Sequence, residues 1–406
     1  MDEPNLTTPP RSTHAAAWSL DPNVVFLNHG SFGACPRAVL EAQSRWRRQM
    51  EAEPVRFFMQ EMLPLIDEAR RRLAEFVGAD PADLVFVRNA TEGVNGVLRS
   101  LRLAPSDELL VTDHAYNACR NVVEFAAGRS GAKVIVARVP LPIGAPGEVV
   151  DAILACVTGR TRLALLDHVT SPTALILPIR ELVEALRRRG VDTLVDGAHA
   201  PGMVPLDLGQ IGAAYYTGNC HKWLCAPKGA GFLHVRPDRQ EGLHPAVISH
   251  GFNTRRPDRV ALHVEFDWTG TADPTPWLCV GEAIRFLEGL MPGGIEGLMR
   301  HNHALALEAR RVLCETLEQS PLCPEEMIGS MAAVRLPDEP AATPPTPPWD
   351  LHPVQRRLLE QFGIEVPVYY WPAPPQRLLR ISAQAYNTPA DYQRLAGAVQ
   401  SLEAGC

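Results

Sequence analysis

The feature that most constrains the fold of this chain is a repeated alternation of short apolar runs with helical stretches. The runs are Leu84–Val87, Glu108–Val111, Lys133–Val136, Arg162–Leu166 and Thr193–Val195. Strands that alternate with helices in this way predict βαβ units and a mostly parallel sheet. A further strand is predicted over 231–235, and two helices over 36–77, with Pro36 suited to a first helical turn. The predicted fold class is therefore α/β.

The C-terminal part of the chain has a different pattern. The stretch Leu336–Pro348 contains six prolines and no periodicity, which predicts an exposed loop. Strand-like and helical segments flank this stretch closely and predict a small α+β domain. We expect an N-terminal segment over 1–28 that packs with this small domain, a large domain over 29–285 and the small domain over 286–406.

Composition excludes several classes of protein. The 406 residues are 46% hydrophobic, as in ordinary globular proteins. No stretch approaches the roughly 20 apolar residues that span a membrane, and Met1–Asn5 has no secretory signal. A net charge of -7 offers no basic footprint for nucleic acid. Nine cysteines without paired spacing fit reduced thiols, so a cytoplasmic protein with a small-molecule substrate is expected.

Two polar residues near predicted strands indicate a catalytic site. The apolar run Thr193–Val195 ends in Asp196, which places a carboxylate at the edge where open α/β sheets bind ligands. Lys222 follows within Tyr216–Trp223. A carboxylate in that place can keep the pyridine nitrogen of pyridoxal phosphate (PLP) protonated, and a lysine can tether the cofactor aldehyde as a Schiff base. The pair predicts a PLP enzyme.

Each of these residues also has an ordinary explanation. Asp196 alone could cap a helix, and Lys222 alone could be a solvated surface lysine. Cys220, His221 and Cys225 lie close enough in sequence to suggest a metal site. No second ligand pair of zinc-finger spacing accompanies them, so the sequence favours the cofactor site and no metal.

Three other segments could contribute to the same site. Arg88–Gly93 follows a predicted strand and precedes a helical pattern, so its backbone could bind phosphate, although Thr91 before Glu is also a common helix start. Asp113–Asn117 offers rings that could stack on a planar cofactor; the alternative is a satisfied histidine and a core tyrosine. Arg380 is the one charge in Leu378–Ser382 and could clamp a substrate carboxylate, or be an edge-strand arginine.

The order of these segments resembles the class V aminotransferase family of fold-type I PLP enzymes, and within it the isopenicillin N epimerase-like branch. The likeness covers almost the whole chain. Its carriers are Phe26–Gly33, Asn89–Gly93, Asp113–Tyr116, His168–Thr173, Asp196–His199, His221–Trp223, Gly270–Thr271 and Arg380–Asn387. The resemblance implies a large PLP domain with a mostly parallel, seven-stranded sheet, a smaller α+β domain, and a homodimer with shared active sites.

The resemblance also implies roles toward the cofactor. Lys222 would form the Schiff base, Asp196 would pair with the pyridine nitrogen, and His199 would contact the phenolic oxygen. A further set would hold the phosphate: Ala90, Thr91, Thr217 and His221, with Thr271 of the partner subunit.

Other roles concern the ring and the substrate. Tyr116 would stack on the cofactor ring and share in catalysis with Lys222, although His114 or Ala115 could take that place under a one-residue shift. The side chains that would face the substrate are Asn28, Ser171 and Arg380.

One departure from the family bears on the reaction. Cysteine desulfurases of this family carry a nucleophilic cysteine shortly before the carboxylate-binding arginine, but 361–380 contains none. The segment Val368–Pro375 instead offers aromatic surface for a larger substrate. A persulfide relay is therefore disfavoured.

The expected chemistry begins with removal of the α-proton of an amino acid. The favoured reaction is carbon–sulfur β-elimination from an L-cysteine conjugate or sulfoxide. An epimerase is the alternative and needs a second acid, such as Tyr116 or a histidine, across the ring. Transamination shares the first steps. A non-catalytic PLP-fold module that binds a partner is disfavoured, because it has no need of intact Lys222, Asp196 and Arg380.

Overall fold

The computed structural model describes residues 11–339 and 350–404. Its α-helices are α1 His29–Phe32, α2 Arg37–Ala52, α3 Pro54–Arg56, α4 Met62–Val77, α5 Ala90–Ser100, α6 Asn117–Ser130, α7 Pro146–Leu154, α8 Ile179–Arg187, α9 Leu208–Ile211, α10 Ala261–Phe266, α11 Thr275–Leu278, α12 Val280–Glu288, α13 Gly294–Thr316, α14 Pro353–Phe362 and α15 Pro389–Ala404. A π-helical turn, Phe57–Glu61, joins α3 to α4. The two helices predicted over 36–77 correspond to α2 and α4, and Pro36 is the N-cap of α2.

The strands are β1 Val25–Phe26, β2 Leu84–Val87, β3 Glu108–Thr112, β4 Lys133–Ala137, β5 Thr161–Asp167, β6 Asp192–Gly197, β7 Tyr215–Asn219, β8 Gly231–Val235, β9 Met331–Leu336, β10 Ile364–Glu365, β11 Val368–Tyr370 and β12 Arg377–Ser382. The central sheet has seven strands in the order β2-β8-β7-β6-β5-β3-β4. Within it β8 runs antiparallel to both of its neighbours, and the other pairings are parallel. The predicted α/β class with a mostly parallel sheet is confirmed.

Both faces of this sheet are buried, which explains the continuous apolar runs of its strands. Along β2, Val85 and Val87 pack into one core with α5 and α6, whereas Leu84 and Phe86 pack into the core on the opposite face. With both faces covered by helices, the carboxyl ends of the strands are left as the place where a ligand can approach.

A second, three-stranded antiparallel sheet has the order β11-β12-β9. Close to the N-terminus, β1 pairs in parallel with β10, so the start of the chain joins its C-terminal part. The domain boundaries stay a prediction. Most of the proline-rich stretch, 340–348, lies outside the described residues, and its first residue, Leu336, is the last of β9 rather than part of a loop.

Among the described residues, no helix has the length and apolar character needed to cross a membrane.

Candidate active site

A cavity of about 470 Å³ lies at the carboxyl ends of the central strands. It brings together eight of the residues expected at the site from the sequence and the resemblance: Ala90, Thr91, Tyr116, Ser171, Asp196, His199, His221 and Lys222. Segments that are far apart in sequence thus converge on one volume. The cavity is a candidate active site.

Asp196 lies at the floor of this cavity, one residue before the end of β6. Its side chain is buried, and it caps a turn rather than a helix, with Oδ1 accepting from the backbone N–H of Ala198 at 3.0 Å. Oδ2 accepts from the thiol of Cys119 at 3.0 Å. Buried carboxylates need hydrogen-bond donors of this kind. The arrangement suits an acid that faces a cationic ring nitrogen.

Asp167 is a second strand-end carboxyl that sequence reasoning missed. It ends β5 directly beside Asp196 in the register of the two strands, and it also lines the cavity. Burial raises the pKa of Asp167 well above its usual range, and the charge of Asp196 raises it further, while the backbone N–H of Tyr116 favours the charged form. Asp167 therefore holds its proton more tightly than an ordinary aspartic acid does.

Lys222 lies in the turn that follows β7, and its Nζ is 3.0 Å from Nε2 of His199. Burial, and next the charge of Arg380, lower the pKa of Lys222 to about 7. Burial also lowers the pKa of His199 well below its usual value, so that ring is neutral. The indole N–H of Trp223 donates to Nδ1 of His199 at 3.4 Å, which places the ring proton on Nε2, from where it can donate to a neutral lysine amine. A neutral amine is the form that attacks an aldehyde.

The N-terminal segment holds the backbone of this lysine. Nε2 of His29 donates to the carbonyl of Lys222 at 3.0 Å, and its Nδ1 accepts from the hydroxyl of Tyr386 at 2.8 Å. Gly33 has a φ of +70°, and a Cβ there would collide with the backbone of His221. His29 lies within Phe26–Gly33, one of the segments that carry the family resemblance. The sequence of that segment gave no reason to assign His29 a contact with Lys222.

The N-terminus of α5 provides the expected anion site. Asn89 caps the helix by accepting from the N–H of Glu92 at 2.9 Å, and the carboxylate of Glu92 accepts from the N–H of Arg88 at 2.6 Å. This reciprocal capping fixes the first turn. The N–H of Ala90 donates to Asn219 at 2.8 Å. The N–H groups of Ala90 and Glu92 thus already have acceptors, so the N–H of Thr91 is the first-turn donor best suited to a phosphate.

The other predicted phosphate residues lie in three different settings. Nδ1 of His221 donates to the carbonyl of Ala230 at 3.0 Å, and burial lowers the pKa of His221 to about 4, so its Nε2 can donate to a phosphate only when the ring gains a proton. Thr217 is fully buried and donates to the carbonyl of Phe232 at 2.8 Å instead of lining the cavity. Thr271 is exposed in a neighbouring cavity. Their phosphate contacts stay predictions.

Arg380 is buried beside this cavity without an anionic partner. Its guanidinium donates to the carbonyl of Ser171 at 2.7 Å, to the hydroxyl of Ser31 at 3.0 Å and to Oδ1 of Asn28 at 3.4 Å. Within 11–339 and 350–404 it forms no ion pair, and its Nε has no hydrogen-bond partner. The edge-strand alternative is wrong, because β12 is the central strand of its sheet. A buried, uncompensated guanidinium is suited to bind a carboxylate.

Tyr116 is the stacking candidate that faces the cavity. It is the N-cap of α6 and is 45% exposed, so its ring is free to cover a ligand. Burial is the main cause that raises the pKa of Tyr116, so the phenol is protonated. His114 is instead buried against Thr173 and Trp371, with Nδ1 at 2.8 Å from the threonine hydroxyl. This geometry favours Tyr116 over His114, and Ala115 has no ring.

Comparisons with known proteins agree with this geometry. The family model for aminotransferase class-V matches residues 25–334. The chain is 40% identical over 395 residues to the isopenicillin N epimerase of Streptomyces clavuligerus, covering 94% of this chain and 96% of that protein. It is 34% identical over 406 residues to a probable chloroplastic L-cysteine desulfhydrase of Arabidopsis thaliana, covering 94% and 83%.

The fold is similar to that of the cysteine desulfurase CsdA of Escherichia coli, with a TM-score of 0.76 at 23% identity, covering 96% of this chain and 98% of that one. The expected fold-type I architecture is thus confirmed. The family match and the relatives above 30% identity extend over most of the chain. The chain belongs to the class V aminotransferase family of PLP-dependent enzymes.

Proposed function

We propose that this protein is a PLP-dependent carbon–sulfur β-lyase that acts on an L-cysteine derivative. The observation that carries the proposal is the pairing of a buried, anion-free Arg380 with Lys222, whose pKa is lowered to about 7, at a cavity whose described lining contains no cysteine. The first residue selects an α-carboxylate, and the second is placed to move a proton. The absent thiol removes the persulfide route.

The residues of the cavity fit the cofactor. Bound PLP would supply an electron sink for negative charge at the substrate α-carbon. Lys222 would tether the aldehyde, Asp196 would hold the proton on the pyridine nitrogen, and Nε2 of His199 would donate to the phenolic oxygen. The first turn of α5, from Ala90, would bind the phosphate.

The substrate would be oriented by Arg380 and deprotonated by Lys222. Two parallel N–H donors can hold a carboxylate in one plane, which directs the α-hydrogen to one face. Once the substrate amine has displaced it, Nζ of Lys222 would take the α-proton, since its lowered pKa makes it a base near neutral pH. The same atom would return the proton to the departing sulfur. With one water, an S-conjugate of cysteine, R–S–CH₂–CH(NH₂)–COOH, would then yield the thiol R–SH, pyruvate and ammonia.

Among the described residues that line the cavity, none is a cysteine that could serve the competing desulfurase chemistry. The segment that precedes Arg380 folds as β11 and β12, and it places Tyr369 5.4 Å from the guanidinium, measured from ring centroid to Cζ. The similarity to a probable L-cysteine desulfhydrase supports cleavage of a carbon–sulfur bond in this chain.

An amino-acid epimerase is the second candidate. It is favoured by the protonated phenol of Tyr116, which lines the same cavity as Lys222 and could deliver a proton to the opposite face. The 40% identity to an isopenicillin N epimerase supports this candidate too.

Product analysis distinguishes the two candidates. The PLP-loaded protein is incubated with a panel of L-cysteine conjugates and with other L-amino acids in heavy water, with Lys222→Ala as the blank. Pyruvate, ammonia and a thiol in equal amounts are expected. Recovery of the substrate with α-deuterium and inverted configuration, without a thiol, would assign the epimerase instead.

Arg380→Lys is expected to raise the KM or Kd of the substrate about 10- to 100-fold. A lysine keeps the charge but loses the paired, charge-assisted hydrogen bonds, each of which contributes about 1.5–3 kcal/mol. The control is Arg335→Lys, which changes the same residue type on β9 of the same sheet. Equal KM values for the two variants would show that Arg380 does not bind the substrate.

The rate at which apoprotein tethers PLP should rise with pH through about 7, because the neutral amine attacks and the pKa of Lys222 is lowered to about 7. Below that pH the amine is protonated and the rate falls. Stopped-flow absorbance over a pH series measures the midpoint. A midpoint near 10.4, the value of an unperturbed lysine, would contradict the lowered pKa.

We also propose a homodimer with shared active sites. Three aromatic side chains near the N-terminus, Trp46, Phe57 and Phe58, pack within the subunit. The exposed apolar side chains are others, notably Phe32 at 73%, Val55 at 70% and Met59 at 78%. Burial of such side chains in an interface lowers the free energy of association.

Sedimentation at micromolar concentration should show one species of twice the 44.5 kDa chain mass. Met59→Glu should weaken the dimer, whereas Glu124→Gln on the exposed side of α6 serves as a surface control. A parent protein that sediments as a fully active monomer would contradict shared sites.

A further inference from the structure

The acid at the floor of the cavity is held by a thiol to which no role has been given. Sγ of Cys119 lies 3.0 Å from Oδ2 of Asp196, although 77 positions separate the two residues in the sequence. Cys119 is in the first turn of α6 and is buried, at 1% exposure. Tyr116, the N-cap of the same helix, lines the cavity above it.

The sulfur is a hydrogen-bond donor and not a nucleophile. A helix N-terminus normally favours a thiolate. Here burial raises the pKa of Cys119 well above its usual value, and the charge of Asp196 raises it further, while the hydroxyl of Thr91 favours the thiolate as a side-chain hydrogen-bonding partner. The thiol thus keeps its proton and directs it at the carboxylate.

The groups around Asp196 differ in their charge and in their hydrogen-bonding role. Asp167, on the adjacent strand, has its pKa raised well above the usual range by burial and then by the charge of Asp196, and this favours its neutral form. The N–H of Ala198 and the thiol of Cys119 each donate to a different carboxylate oxygen. Both oxygens are therefore fixed in orientation, and each retains a free lone pair for a ring N–H.

We propose that Cys119 is a positioning residue for the cofactor: its thiol orients the carboxylate of Asp196 toward the pyridine nitrogen. The inference rests on the proposed cofactor role of Asp196.

The test compares the affinity of the apoprotein for PLP in four single variants. Cys119→Ala removes the donor and leaves a smaller side chain, Cys119→Val removes it with a somewhat larger apolar side chain, and Cys119→Ser restores a hydroxyl donor. Cys314→Ala, a buried thiol in α13, is the matched control. Loss of one hydrogen bond to a charged group is expected to weaken PLP binding about 3- to 10-fold in the Ala and Val variants. The Ser and control variants should stay within about twofold of the parent.

A double-mutant cycle separates positioning from a loss of packing. In an Asp196→Asn background, where the charge is absent, Cys119→Val should have little further effect on the Kd of PLP. In the parent background, Cys119→Val should also lower kcat for the substrate without raising KM. An unchanged Kd in Cys119→Val, or an equal weakening in both backgrounds, would overturn the inference. A parent that does not bind PLP would instead overturn the proposed function, and this inference with it.

Discussion

Replacing Lys222 by alanine should abolish turnover, by a factor on the order of 10⁴ or more, which is the scale for loss of an essential nucleophile or base. The same Nζ is assigned two tasks, tethering the cofactor aldehyde and moving the α-proton. Its position 3.0 Å from Nε2 of His199 and its pKa, lowered to about 7, suit both tasks. The rate is measured as thiol release under saturating PLP.

The chain provides strict controls for this variant, because it contains three lysines, Lys133, Lys222 and Lys228. Lys133 is exposed at the start of β4, at the edge of the sheet opposite the cavity, so Lys133→Ala should retain parental activity. Lys228 lines the cavity and donates to the carbonyl of Gly33 at 2.9 Å. Full activity in Lys222→Ala together with loss of activity in Lys228→Ala would transfer the role to the second lysine.

Asp196→Ala should lower kcat about 100-fold or more while the fold persists. Without the carboxylate nothing keeps the proton on the pyridine nitrogen, and removal of one preorganised electrostatic group costs about this much. The buried neighbour Asp167 cannot replace it readily, because burial, the largest cause of its raised pKa, persists in the variant.

Circular dichroism and thermal unfolding test whether Asp196→Ala folds. The control for loss of an acidic side chain is Asp151→Ala, on the exposed side of α7. A kcat within a few-fold of the parent would mean that Asp196 only caps its turn through Ala198.

The architecture of this protein is largely predictable from its sequence, because the strands of the central sheet are buried on both faces. Continuous apolar runs therefore mark five of its strands, and a sixth, β8, follows from Gly231–Val235. The strand β7 escapes prediction, since Tyr215–Asn219 ends in glycine and asparagine, which are poor strand formers. The position of β12 in the centre of the three-stranded sheet was not predicted either, because strand order depends on pairings between distant segments.

Within the site, the predictable residues are those that end or interrupt an apolar run. Asp196 and Arg380 have that signal, and Lys222 has the family motif around it. The supporting contacts do not have such a signal. Cys119 meets Asp196 across 77 positions, and His29 meets Lys222 across 193 positions, so neither pair forms a local pattern. Such contacts exist only once helices and strands have packed.

The most direct test of the central claim is to identify the lysine that PLP occupies. The PLP-loaded parent is reduced with borohydride, digested and mapped by mass spectrometry, with Lys133, Lys222 and Lys228 as the three alternatives in the sequence. The proposed chemistry predicts a single pyridoxyl modification on Lys222, which is lost in Lys222→Ala. A modification on Lys228, or no lysine adduct in a protein that still cleaves its substrate, would contradict it.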